Sequence, residues 1–156
     1  MGHALSAEKI SPEELILRQD GEALFRIRRR TVFRGDDPIW EIAHGGTHLF
    51  EGSWQIVTFT DGLPLASFRY ISSSYRYGED LRIRCADPEE ELLFRRVDPE
   101  QDRWLLMTRA GDLILETAAP AAAGLWELRL AGSLAESALW PVVCLLAFDR
   151  LASGRL

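Results

Sequence analysis

Lysine is nearly absent from this 156-residue chain: Lys9 is the only one among 18 basic residues, and the other cations are all arginine. The formal charge is −6 and the pI about 5.1. A surface of net negative charge does not attract polyanions generically, so no nucleic-acid partner is expected. Cysteine is also scarce. Cys85 and Cys144 are the only two, too few for a disulfide scaffold, and the second lies in an apolar run. They read as reduced thiols in a cytoplasmic protein. The segment Met1 to Pro12 is polar and has no apolar h-region, so no secretory signal is expected.

Long hydrophobic runs are missing too, with one partial exception. Ala138 to Phe148 is apolar for 11 residues, bounded by Glu136-Ser137 and Asp149-Arg150. A membrane-spanning helix needs roughly 20 residues, so the chain reads as not transmembrane. Peripheral association is the membrane role left to it. Histidine numbers three, and His44 and His48 merely flank a Gly45-Gly46 turn, with no nearby third ligand. Asp36-Asp37, Glu79-Asp80 and Asp87 to Glu91 lack the alternating spacing of a calcium loop. No metal and no cofactor are expected. Ser72-Ser73-Ser74 has no nucleophile elbow around it, and Cys85 has no marked base partner. Nothing assembles into a catalytic signature, so the chain reads as not an enzyme.

What the sequence does contain is a succession of hairpins. Short apolar-alternating segments turn at Asp20-Gly21, Gly45-Gly46, Asp61-Gly62, Asp87-Pro88-Glu89 and Ala110-Gly111, and a last strand covers Leu125 to Leu130. Three of these hairpins form a weak, irregularly spaced repeat. Short strands near Thr31 to Phe33 and Tyr70 to Tyr77 bring the total to 11 or 12. A sheet that long curls and closes, which removes its exposed edges. The Ala138–Phe148 run has almost no polar face, and a helix of that kind must be wrapped on all sides. The expected fold class is mainly β: a closed antiparallel barrel of about 12 strands around a buried hydrophobic C-terminal helix. Residues 1–12 are expected to be a flexible N-terminal arm, and 13–156 a single barrel domain. Ser133-Leu134-Ala135-Glu136 has the form of a capping box, and Pro141 suits the first position of a helix. The expectation is a short turn over 133–138 and a main helix over about 139–151.

Asp20-Gly21 with Leu24-Phe25-Arg26-Ile27, the Asp61-Gly62 hairpin, and the helix ending in Phe148-Asp149-Arg150-Leu151 resemble the tubby C-terminal-like superfamily. Within it the chain is similar to small LURP-one-related and phospholipid-scramblase-like proteins, and its Arg/Ala/Leu-rich usage is that of high-GC bacteria. The resemblance covers roughly residues 13–152. It implies a 12-stranded barrel threaded by the helix, and binding rather than catalysis: phosphoinositides in tubby, membranes or calcium in scramblases. The chain departs from both patterns. It lacks a lysine-rich surface, a cysteine-rich palmitoylation stretch and a proline-rich arm, so no functional residue is carried over.

The sharpest charge feature is Arg26-Ile27-Arg28-Arg29-Arg30, extended to Arg34. On one strand, Arg26, Arg28 and Arg30 would share a face and grip a phosphate or carboxylate with paired donors. The plainer reading is a solvated face paired with acids such as Glu41 or Glu51. Arg26, Arg28, Arg30 and Arg34 are accordingly the expected anion-binding residues. Tyr75-Arg76-Tyr77 is the aromatic cluster best placed to line a surface site. Gly52-Ser53-Trp54 matches the Gly-x-Trp element of lipocalins, which makes a small apolar-ligand carrier the first alternative function, with a hydrolytic enzyme, for which no signature assembles, behind it. The preferred reading is a non-enzymatic binding or scaffold module that engages anionic lipid headgroups or a protein partner.

Overall fold

Alternation of apolar and polar residues along the sequence becomes alternation of inside and outside in space. A computed structural model describes residues 4–44, 53–70, 80–86, 89–98, 103–118 and 124–152. Twelve strands follow one another: β1 (Ala4–Ser11), β2 (Glu14–Gln19), β3 (Glu22–Arg28), β4 (Thr31–Arg34), β5 (Asp37–His44) and β6 (Ser53–Thr58) come first. The second half comprises β7 (Pro64–Tyr70), β8 (Asp80–Ala86), β9 (Glu89–Asp98), β10 (Arg103–Thr108), β11 (Leu113–Ala118) and β12 (Leu125–Leu130). Each strand pairs antiparallel with the next, and β1 pairs with β12, from Ala4 opposite Arg129 to Glu8 opposite Leu125. The barrel is closed and has no free edge.

The expected loose arm is therefore corrected. Residues 4–11 are β1, the strand that closes the ring. Its inward residues, Leu5 and Ala7, are buried, but the second is only an alanine and polar residues surround both. The segment looks hydrophilic while still contributing an inward face.

Turn chemistry sets the register. Asp20 (φ 50°) and Gly21 (φ 86°) are both left-handed in the two-residue loop between paired Gln19 and Glu22, the conformation that matches the twist of a hairpin. Asp61-Gly62 and Ala110-Gly111 lie in the β6–β7 and β10–β11 turns as expected. The Gly45-Gly46 turn, the Asp87-Pro88 turn and the segment 71–79 lie outside the described residues.

After β12, Gly132 donates its N–H to the Ile114 carbonyl at 3.0 Å. A Cβ at Gly132 would collide with the Leu113 carbonyl oxygen, so only glycine lets the chain turn inward there. The helix α1 (Glu136–Ala147) enters the barrel, and a π-helical turn, Phe148–Ala152, follows it. Its start differs from the expectation. The N-cap is Ala135, with no side-chain cap bond, rather than Ser133, and Pro141 stands inside the helix rather than at its first position. Proline removes a helical hydrogen bond at a cost of about 3 kcal/mol, and burial offsets it. Every residue from Pro141 to Phe148 is buried. α1 packs mainly on β6, β7 and β8, and the π-helical turn on β1 and β2.

The outward positions are charged along the height of the barrel, among them Arg18, Arg26, Arg82, Arg84, Glu91, Arg95, Glu116 and Arg129. That is the reverse of the apolar band a lipid-spanning barrel presents. No described helix is long and apolar enough to cross a membrane.

Candidate anion site on the outer face

On β8 the residues Leu81, Ile83 and Cys85 fill the interior, which turns Arg82 and Arg84 outward. On β9, Leu92 and Phe94 are buried, which turns Glu91, Leu93 and Arg95 outward. Pairing places Arg84 opposite Glu91 and Arg82 opposite Leu93. A further cation arrives from a different hairpin. The β10–β11 turn is tied by Thr108 Oγ1, which accepts the Asp112 N–H at 3.0 Å, and by Gly111 at φ 100°. That turn brings Arg109 over the same strand.

Three guanidinium groups thus face one carboxylate. Arg82 Nε lies 3.7 Å and Arg84 Nη2 4.0 Å from Glu91 Oε2, and Arg109 Nη1 lies 3.8 Å from Oε1. All three separations exceed the usual hydrogen-bond range of about 2.7–3.2 Å. Among the described residues, Arg82, Arg84 and Arg109 make no hydrogen bond. Arg82, Arg109 and Arg95 line a half-open depression of about 240 Å³, whose remaining walls are Glu91, Leu92 and Leu93; Arg84 stands beside it, across from Glu91. Arg82, Arg84 and Arg109 against Glu91 put three positive charges beside one negative, on a protein whose overall charge is negative.

A second acid on the same side of the barrel is held differently. Glu116 on β11 accepts from Arg129 Nη2 at 2.8 Å and from Arg103 Nη2 at 3.3 Å. The hydrogen bond from Arg129, helped by the charges of both arginines against a desolvation that works the other way, holds the Glu116 carboxyl below the usual glutamate range. Glu116 is a saturated cross-strand pair. Glu91 is an unsaturated one.

The arginines singled out in the sequence are not brought together. The run Arg26–Arg34 is not one strand, because β3 ends at Arg28 and β4 begins at Thr31. Arg29, at φ 57°, turns the chain, held by its N–H and Nε on the Glu13 carbonyl and carboxylate at 2.7 and 3.1 Å. Arg26 lies 3.5 Å from Glu14 and over the Phe33 ring. Arg30 covers Trp54, which meets Phe148 edge to face at the C-terminal end of α1. Arg34 covers Phe25, which meets Trp140 near the N-terminal end of α1. Arg30 and Arg34 therefore serve opposite ends of the barrel. Arg28 is exposed at the end of β3, beside the turn. Among the described residues, the acids that pair with this run are Glu13 and Glu14, and Glu41 pairs in the sheet with Thr31.

Glu51, His48, Ser72–Ser74, Tyr75 and Tyr77 lie outside the described residues. Both cysteines are buried and free. Burial, with the nearby Glu90 charge, pushes the Cys85 thiol up to about 11, and burial alone pushes Cys144 up further. Neither has the depressed pKa of a nucleophile.

No family model matches the chain, and no curated protein matches it. Among solved structures, the chain is similar to a protein from Arabidopsis thaliana whose X-ray structure is known. The identity is 7%, the match covers 95% of this chain and 90% of that one, and the TM-score is 0.42.

Proposed function

We propose that the protein is a non-enzymatic barrel module that binds anionic lipid headgroups at a membrane surface through the outer face of β8, β9 and the β10–β11 turn. The observation that supports this most is the convergence of Arg82, Arg84 and Arg109 on Glu91 at 3.7–4.0 Å, with hydrogen-bonding donors left over. Each guanidinium carries five N–H donors in a planar fork suited to phosphate or carboxylate oxygens. A depression of about 240 Å³ is smaller than the roughly 300–1,000 Å³ of drug-sized ligand sites, so it suits a headgroup rather than a whole lipid. The resemblance to the tubby C-terminal-like superfamily fits the same reading, and a cytoplasmic protein recruited to the membrane periphery is its natural setting. The small-ligand carrier is the weaker reading, because α1 occupies the lumen that a carrier keeps open.

The test is sedimentation with vesicles of phosphatidylglycerol and phosphatidylcholine at about 20 mM salt, where charge attraction extends about 20 Å. Binding to the anionic vesicles that weakens at 150 mM salt, and that is lost in Arg84→Gln/Arg109→Gln, is the expected result. No binding at low salt overturns the lipid reading. Binding of soluble glycerol phosphate without vesicle binding assigns the cluster to a small free anion instead.

A further inference from the structure

We infer, on the reading that the cluster takes an anionic headgroup, that Glu91 is a built-in competitor: its carboxylate occupies the arginine cluster in the empty protein and holds the affinity for external anions down. Three features of the site lead there. Glu91 is the only carboxylate among the residues lining the depression. It faces cations from two separate hairpins, Arg82 and Arg84 on β8 and Arg109 in the β10–β11 turn. Yet it satisfies none of them at hydrogen-bond distance, unlike Glu8, Glu13 and Glu116, whose arginine partners stand at 2.8, 3.1 and 2.8 Å.

The cross-strand pair at Glu116 closes that gap. Glu91 does not: its two oxygens are shared among two arginines of β8 and one of the β10–β11 turn, at 3.7–4.0 Å from each. It neutralises part of their mutual repulsion and leaves their donors unused. An incoming phosphate or carboxylate oxygen must enter the same field, about 4 Å from a fixed negative charge. In bulk water a like charge at that separation already lowers an affinity about fivefold, and in a partly desolvated depression by more. The glutamate thus sets a threshold, below which a sparsely charged surface does not retain the protein.

The experiment is a vesicle titration of the full chain over increasing phosphatidylglycerol content, comparing wild type, Glu91→Gln, Glu91→Asp and Glu127→Gln. Glu127 is an exposed residue of β12, outside the depression, so its substitution removes the same net charge from another place. Glu91→Gln is expected to bind at least about fivefold more tightly and to need less anionic lipid for half-saturation. Glu91→Asp, which keeps the charge, stays near wild type, and Glu127→Gln changes binding less than twofold. Wild-type binding with Glu91→Gln no tighter overturns the inference and leaves the headgroup site standing. Equal gains in Glu91→Gln and Glu127→Gln overturn it too, since net charge alone would then be responsible. No binding by any variant at about 20 mM salt overturns the site itself. Glu91→Gln is also expected to melt lower, because the arginines repel one another once it is neutral. If it fails to fold, Glu91→Ser and Glu91→Thr take its place in the same titration.

Discussion

Arg129 Nη2 stands 2.8 Å from Glu116 Oε2, and Arg103 reaches the other oxygen of the same carboxylate at 3.3 Å. One acid on β11 is thereby fastened to both neighbouring strands. Because the folded-state pKa is depressed, this contribution is fully present above the ordinary glutamate value of 4.5. It is lost as pH falls through that value toward the lower folded one. Glu116→Gln is expected to cost about 1 kcal/mol at pH 7, a fall in Tm of about 2–4 °C. The difference from wild type should shrink as pH is taken below 4.5 and vanish in acid. Melting curves at pH 7, 5 and 3 check it, and a constant difference across that range would mean the pairs contribute nothing through charge.

The helix is the core of the barrel, so its centre should tolerate little. Leu145 is 1% exposed. Leu145→Ala leaves a cavity and is expected to cost about 2–5 kcal/mol. Leu145→Asp buries a charge without a partner and should leave no soluble folded protein, against a total stability of about 5–15 kcal/mol. Circular dichroism and size-exclusion chromatography read both. A soluble aspartate variant melting within a few degrees of wild type would place the helix at the periphery.

Much of this architecture was legible in the chain because hairpin turns and apolar alternation are local signals. Asp20-Gly21 announces its own turn, and Leu125 to Leu130 reads as a strand without help from the rest of the protein. Three things were not legible, each because the deciding contact is distant in sequence. β1 looks like an arm because its partner, β12, lies more than a hundred residues away and its inward residue Ala7 is small. The helix starts at Glu136 and runs through Pro141, rather than starting at about 139 with the proline in its first position, because enclosure by the barrel outweighs the proline's local cost. The arginine cluster around Glu91 was missed because Arg109 joins Arg82 and Arg84 only through the β9–β10 pairing. The louder run at Arg26–Arg34 is cut by a turn at Arg29 that no turn propensity marks.

The status of β1 gives a direct test. Deleting residues 1–11 removes buried Leu5 and Ala7 and leaves β2 and β12 with unpaired edges, which are templates for aggregation. The truncated chain is expected to elute as aggregate or fail to accumulate in soluble form. A monodisperse, cooperatively melting product would show that the segment is dispensable to the ring.

The two thiols report on opening of the barrel. Cys85 is buried, with its thiol pushed up to about 11, so at pH 8 only about one molecule in a thousand carries the reactive thiolate. Cys144 sits at full burial in α1. An aromatic disulfide reagent at pH 8 is expected to modify neither cysteine in native protein within an hour, and both in guanidinium. Rapid native labelling of Cys144 would mean that the helix leaves the lumen at equilibrium.

The arginine run and the arginine cluster should separate cleanly in experiment. Arg28 and Arg30 lie on the β3–β4 side, and Arg30 is engaged with Trp54 at 5.2 Å. Removing that cation from an aromatic ring costs about 0.5–1 kcal/mol when the site is exposed. Arg28→Gln/Arg30→Gln is therefore expected to lower Tm by about 1–4 °C while leaving vesicle binding within twofold of wild type. Arg84→Gln/Arg109→Gln should do the opposite. Neither arginine makes a hydrogen bond among the described residues, and both stand about 4 Å from Glu91, so stability changes little while binding is lost. The reverse pattern, with binding lost in the first variant and kept in the second, would move the anion site to the β3–β4 turn.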